Sequence, residues 1–104
     1  MITHLINGQQ VESAETFDTV NPATGEVLAQ VASGGVAEVN AAVAAAKAAF
    51  PGWAATPVKE RARLMRQVGD LITAHVPELA ELETRDAGQV IGQTKKALIP
   101  RAAD

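Results

Sequence analysis

The 104-residue chain contains no cysteine, which excludes a disulfide framework, a thiolate metal site and a sulfur nucleophile together. Aromatic residues are scarce at 3%, so few side chains are large enough to fill a thick interior. A basic surplus is missing too. The formal net charge is -3 and no aromatic platform accompanies the nine Lys and Arg residues, so no nucleic acid partner is expected. No apolar run approaches the roughly 20 residues a bilayer requires. Met1-Ile2-Thr3-His4 lacks the basic start and apolar stretch of a secretory signal. These absences lead to the expectation of no membrane association and a soluble, cytoplasmic protein.

Alanine fills the space those residues leave, supplying much of the 47% hydrophobic content. A chain this short suits one domain at most, and such a domain buries only roughly 60–70% of the surface its unfolded chain exposes. A thin, Ala-rich core of that kind suggests a layer docked on something larger.

Along the chain, His4 to Val11 carries Asn7-Gly8 between apolar flanks. That is the strongest short-range hairpin signal, because a type I′ turn needs positive φ at both central residues. Phe17-Asp18-Thr19-Val20 alternates and is β-branched. Asn21-Pro22-Ala23-Thr24-Gly25 stops it with turn formers, and Val27 to Val31 resumes extension.

From Val36 the period changes. Val36, Val39, Val43, Ala46 and Phe50 recur at steps of three and four, predicting an Ala-rich helix with one narrow apolar packing face. Gly34-Gly35 marks its start, Pro51-Gly52 its stop, and Trp53 falls in the connector. Thr56-Pro57 reads as N-cap and first residue of a second helix. Its face of Val58, Ala62, Met65, Val68, Leu71, Ile72 and Val76 predicts the best-buried helix of the chain. Pro77 suits the first turn of a third helix, with Glu78 and Glu81 near its positive end, Leu79 and Leu82 as its apolar face, and Gly88 as its stop. The expected fold class is therefore α+β. An N-terminal β-hairpin and short strands over residues 1–33 precede about three helices over 34–88, and the tail at 89–104 stays open.

No catalytic constellation emerges from the residues. A nucleophile, base and orienter must meet in space, yet His4 and His75, the two histidines, have no evident local partner and receive no role; His75 reads as a partly buried structural residue. Glu78, Glu81, Glu83 and Asp86 match neither an EF-hand loop nor a zinc helix and read as a solvated face, on which Glu81 and Arg85 pair at i, i+4. Gly34-Gly35 lacks the remaining spacing of a dinucleotide fingerprint, and two glycines relax a strand-to-helix turn without any ligand. No catalytic and no cofactor-binding residue is assigned.

The order of motifs carries more. Ile6-Asn7-Gly8, Phe17, Asn21-Pro22-Ala23-Thr24-Gly25-Glu26-Val27-Leu28-Ala29, Trp53, Glu60-Arg61-Ala62, Asp70-Leu71-Ile72 and Glu83-Thr84-Arg85-Asp86-Ala87-Gly88 together resemble the N-terminal region of the NAD(P)-dependent aldehyde dehydrogenases, from Leu5 to Arg101. Ala32-Ser33-Gly34-Gly35, Lys59 to Arg66, Gln93-Thr94-Lys95 and Leu98 to Ala102 most resemble the branch that acts on 5-carboxymethyl-2-hydroxymuconate semialdehyde. Gly88-Gln89-Val90 departs from the Gly-Lys-Pro of many relatives, so a proline stop before the tail is missing.

The resemblance implies an N-terminal fragment, residues 1–104, forming an outer layer of the coenzyme-binding domain of a parent enzyme. In that parent a Cys thiolate attacks an aldehyde, hydride passes to NAD or NADP, and a Glu-activated water releases the acid. The nucleophile, general base and nucleotide contacts lie in later segments, so the fragment by itself is expected to be inactive and to bind no cofactor. Two family features map onto residues here: a monovalent-cation site at Thr19, Val20 and Asp86, and a substrate-carboxylate contact at Arg101. The expected partners are the rest of the parent dehydrogenase and, for the isolated piece, another copy of itself. The alternative is a short non-catalytic helical interaction module derived from the same family.

Overall fold

Asn7 and Gly8 both hold positive φ, at 52° and 74°, and close a hairpin between β1 (His4–Ile6) and β2 (Gln9–Val11). Their register pairs His4 with Val11 and Ile6 with Gln9, as the Asn-Gly turn requires. The computed structural model describes residues 1–104 and divides into two units: Met1–Val20 with Val27–Thr56, and Asn21–Glu26 with Pro57–Asp104.

In the first unit β3 (Thr16–Val20) and β4 (Val27–Ala32) pair antiparallel, Phe17 opposite Val31 and Thr19 opposite Ala29. Between Thr19 and Val20 the register shifts and passes over Leu28, a bulge of the kind that locally disrupts a ladder. The other edge of β4 is covered by the chain start, where Ile2 N–H donates to the Gln30 carbonyl at 2.7 Å and Ala32 N–H to the Ile2 carbonyl at 2.8 Å. Ala32, held between these neighbours, is the buried residue of the unit.

Helix α1 (Val36–Ala55) starts at Gly35, whose N–H donates to the Glu38 carboxylate at 2.8 Å. This is the reciprocal half of a capping box, the N-cap glycine having no side chain to supply the other. The helix does not stop at Pro51-Gly52. It runs through them to Ala55, taking in Trp53, and ends where Thr56 N–H reaches the Trp53 carbonyl and the Thr56 hydroxyl donates to the Gly52 carbonyl at 2.8 Å. Pro51 removes one N–H from the ladder, but the alanines on both sides favour continuation. The expected packing stripe is also uncovered, with Val36 78% and Phe50 68% exposed. What α1 turns toward the hairpin is its small side, Ala42, Ala45 and Ala46, which line a shallow cleft with Leu5, Ile6 and Asn7.

The second unit is helical. Helix α2 (Val58–Ala74) begins one residue later than the Thr56-Pro57 reading, with Pro57 as N-cap, because the Thr56 hydroxyl is already committed to closing α1. It is not the best-buried helix: none of its residues is buried, and Met65 and Leu71 of the expected face are exposed. At its end His75 turns the chain, its N–H reaching the Leu71 and Ile72 carbonyls and its Nδ1 lying 2.8 Å from the Leu71 carbonyl. His75 is structural as expected, but exposed rather than partly buried. Helix α3 (Val76–Ala87) follows, with Pro77 in its first turn and Gly88 in the left-handed conformation at its end. Its inward stripe is Val76, Leu79, Ala80, Glu83 and Thr84; Leu82 faces out.

The open tail is a fourth helical segment in three contiguous pieces, α4 (Ile91–Gln93), a π-helical turn (Thr94–Leu98) and α5 (Ile99–Ala103). Ile99 N–H donates five residues back to Thr94. Pro100 explains the widened turn: it has no N–H, and its ring would strike the carbonyl of Lys96 in an α ladder. The tail packs on α2 and α3, and Ala80 and Thr94 in this cluster are fully buried at 0% exposure. No helix of the chain is long and apolar enough to cross a membrane.

Candidate functional site

The sequence-predicted cation ligands divide between the units. Thr19 and Val20 lie on β3 at the point where the register shifts, Thr19 half-buried and Val20 exposed. Asp86 stands in the last turn of α3, one residue before Ala87 ends it, and is exposed. The donor set is two backbone carbonyls beside a disrupted ladder and one carboxylate, all hard oxygen. Carbonyl and carboxylate oxygens are the donors that hard cations prefer. The structure fixes each donor within its own unit. No group of three or more His, Cys, Asp or Glu gathers into a metal cage.

The segment that carries Asp86 is held from two sides. Gly88, at φ +72°, caps α3 and leaves no room for a side chain: a Cβ there would sit 2.9 Å from Pro22 Cγ. Pro22 belongs to the turn Asn21–Glu26, which is closed by Asn21 N–H to the Glu26 carbonyl and Gly25 N–H to the Asn21 carbonyl, both 2.8 Å. The Asn21 side chain also accepts from Ala23 N–H at 2.9 Å. An Asn-Pro-x-x-Gly turn and a helix-stopping glycine thus press on each other, the turn chemistry supplying the shape. On the outer face of α3 Arg85 pairs with Glu81 at 2.7 Å, as the i, i+4 spacing predicts.

Arg101 lies on α5 and is exposed. Its helix rests on α2 through a contact that only glycine permits, since a Cβ on Gly69 would meet the Ala103 carbonyl oxygen at 2.8 Å. Behind it, the Thr94 hydroxyl donates to the Ile91 carbonyl at 2.9 Å and stands 3.2 Å from the Thr84 hydroxyl. With its own proton given to Ile91, Thr94 must be the acceptor from Thr84. Every buried side-chain polar atom is thereby satisfied.

Sequence reasoning missed three of these residues. Gly69 offered a faint signal, a glycine inside a helical pattern where it costs about 1 kcal/mol against alanine. Thr94 offered none. His4 was assigned no partner, yet its Nε2 lies 2.7 Å from the Ser13 hydroxyl and its ring packs on Gly34. Nearby, the Glu38 carboxyl is held below its ordinary range, first by its own backbone N–H, then by Gly35 N–H, with a smaller contribution from His4.

A model of the aldehyde dehydrogenase family matches residues 9–104. The chain is 63% identical over 102 residues to 5-carboxymethyl-2-hydroxymuconate semialdehyde dehydrogenase of Escherichia coli, covering 98% of this chain and 22% of that protein. Among solved structures it is similar to gamma-glutamyl-gamma-aminobutyraldehyde dehydrogenase of Burkholderia cenocepacia, with TM-score 0.95 and 42% identity, covering 98% of this chain and 22% of that one. It is also similar to PnpE in complex with nicotinamide adenine dinucleotide, with TM-score 0.95 and 36% identity, covering 98% of this chain and 21% of that one. The chain therefore spans about a fifth of the length of the relatives it matches.

Proposed function

Because the chain belongs to the aldehyde dehydrogenase family, we propose that it is the N-terminal structural layer of an NAD(P)-dependent dehydrogenase that oxidises a semialdehyde to its acid in the cytoplasm. The observation that carries this is 63% identity, across nearly the whole chain, to a dehydrogenase of a carboxymethylated muconic semialdehyde. The 104 residues act as scaffold. They hold no thiol, whereas the family's chemistry needs a thiolate nucleophile to form the acyl intermediate from which water releases the acid. The nicotinamide cofactor, supplied with its contacts by the rest of the enzyme, would accept the hydride.

In this reading Thr19, Val20 and Asp86 are oxygen donors to a monovalent cation, a role carried by the family resemblance. Arg101 meets the substrate's carboxylate, for which a guanidinium offers paired N–H donors. The exposed stripe on α1 is a docking face for the rest of the enzyme, and in the isolated chain it turns to a second copy.

The surface area supports a docking role. The chain exposes 7774 Å2, against about 5,500 Å2 for a folded monomer of its mass and about 6,700 Å2 even for two independent bodies of half that mass. The test is aldehyde-dependent reduction of NAD+ or NADP+, followed at 340 nm, by a complete dehydrogenase that carries this segment and by the 104-residue chain alone. Turnover of a carboxylated semialdehyde by the first and background rate from the second is expected. Turnover by the chain alone that survives repurification overturns the scaffold reading.

A further inference from the structure

The second unit contains a fully buried polar residue and a glycine pressed by backbone, neither used by the chemistry above, and both bear on the same short helix. Gly69 of α2 faces the Ala103 carbonyl so closely that a Cβ would stand 2.8 Å from it. The obstacle is main chain rather than a movable side-chain tip. Thr94, at 0% exposure, ties the start of the π-helical turn to α3 through Thr84 and to the tail itself through Ile91.

The π-helical turn determines how the following residues are rotated. A widened turn inserts one extra residue, and one residue in a helix amounts to about 100° of rotation. Arg101 comes three residues after that turn ends at Leu98. Its direction is therefore set by where the widened turn is pinned, and its height by how deeply α5 sits on Gly69. Pro100 disposes this stretch to a widened turn; the buried Thr94 hydroxyl anchors where it begins.

We propose that Gly69 and Thr94 are positioning residues that set the place and direction of the Arg101 guanidinium, and through it the preference of the enzyme for aldehydes that carry a carboxylate. The proposal rests on the reading of Arg101 as the carboxylate contact. Adding one methyl group at Gly69 forces α5 outward by about half an ångström or more before ordinary contact is restored. Misplacement of about 1 Å costs up to roughly a hundredfold where binding geometry is tight, so a loss of about tenfold is expected.

The experiment uses a complete dehydrogenase that carries this segment and compares succinic semialdehyde, a short aldehyde with a terminal carboxylate, with butanal, its uncharged counterpart. The readout is the ratio of kcat/KM for the two substrates, with kcat and KM resolved separately. Arg101→Gln is expected to lower the ratio tenfold or more. Gly69→Ala and Thr94→Val are each expected to lower it about tenfold through KM. Thr94→Ser, which keeps both hydrogen bonds, is expected to restore it. Gly69→Ala combined with Arg101→Gln should be no worse than Arg101→Gln alone, because the glycine acts through the arginine.

An unchanged ratio in Arg101→Gln removes the carboxylate reading, and the proposal falls with it. A lowered ratio in Arg101→Gln beside an unchanged one in Gly69→Ala and Thr94→Val leaves the carboxylate reading standing and overturns the proposal alone. Equal losses on both substrates, or failure of Thr94→Ser to rescue, show general structural damage and also overturn it. Gly69→Ser, with a larger side chain at the same contact, must fall at least as far as Gly69→Ala.

Discussion

Gly88→Ala is expected to destabilise the chain for two separable reasons. The first is conformational: Gly88 sits at φ +72°, and an L side chain there costs about 1–2 kcal/mol. The second is steric: the new Cβ would stand 2.9 Å from Pro22 Cγ and 3.7 Å from Pro22 Cβ, an overpacking cost of about 1–3 kcal/mol. Lower unfolded-state entropy offsets about 0.4–1 kcal/mol, leaving a net loss of about 1–4.5 kcal/mol. A domain of this size has only roughly 5–15 kcal/mol in total, so the change would show as a large drop in the urea midpoint followed by far-ultraviolet circular dichroism. Pro22→Ala removes the Cγ and with it the closest contact, so Gly88→Ala in that background should cost only its conformational share. Gly88→Asn isolates the other share, since asparagine tolerates the left-handed conformation yet still brings a Cβ to Pro22. A double-mutant cycle should give a coupling of about 1–3 kcal/mol between positions 22 and 88. Additivity within about 0.5 kcal/mol would refute the claim that the Asn21–Glu26 turn is seated on the end of α3.

Glu38 contributes stability with a definite pH sign. Its folded carboxyl titrates below the ordinary 4.5, so the contribution is present above that value and is lost as pH falls through the folded one. Glu38→Gln should flatten this part of a urea-midpoint profile, and an unchanged profile would count against the Gly35 cap. Pro51→Ala should raise both helicity and stability, by about 1–3 kcal/mol, since proline in a helix interior is about 3 kcal/mol worse than alanine; a lower urea midpoint would show that α1 depends on the break. The isolated chain should scatter light with a concentration-dependent mass above 10.8 kDa, and Val43→Glu should lower that mass. A monomer at all concentrations would mean that the exposed α1 stripe, which includes Val43 and Phe50, is not sticky.

What was legible beforehand was chemistry that acts over two or three residues. Asn7-Gly8 demands positive φ wherever it occurs, Gly88 offers the left-handed cap, and Pro77 tolerates a first helical turn; all three do as expected. The misread positions are those where a second local interaction competes. Thr56 could cap α2 with its hydroxyl or close α1, and it closes α1, which moves the α2 start by one residue. Pro51 weakens a helix but does not end one when alanines surround it. The tail escaped because a π-helical turn has no composition signature; Pro100 disposes the chain to one, and a threonine buried by another helix anchors it. Of the candidate site, Thr19, Val20, Asp86 and Arg101 came from resemblance, while the two features that brace them, the β3 bulge and the Gly69 contact, came only from the fold.

Burial explains why local signals did so well here and face assignments so poorly. A hydrophobic period identifies a helix by its repeat, but which side is inside depends on what lies opposite. Ala32, Ala80 and Thr94 alone are buried, all of them small, so no large apolar side chain is fully enclosed within either unit. The Val36-to-Phe50 stripe and the Met65–Leu71 side of α2 have the period of packing faces and stand exposed. A sequence selected to cover a larger body would carry such a pattern: strong caps and turns that hold its own elements, and apolar faces with no counterpart among its own residues. On this argument the residues that position Arg101 and Asp86 are set by local geometry, Gly69 and Thr94 for the one and Gly88 with Pro22 for the other. They should keep that geometry whether or not the exposed stripe of α1 is covered. Hydrogen exchange at Ile99 to Ala103 and at Gly88 would then be equally slow in the isolated chain and in a complete dehydrogenase, while amides of α1 would be slower only in the latter.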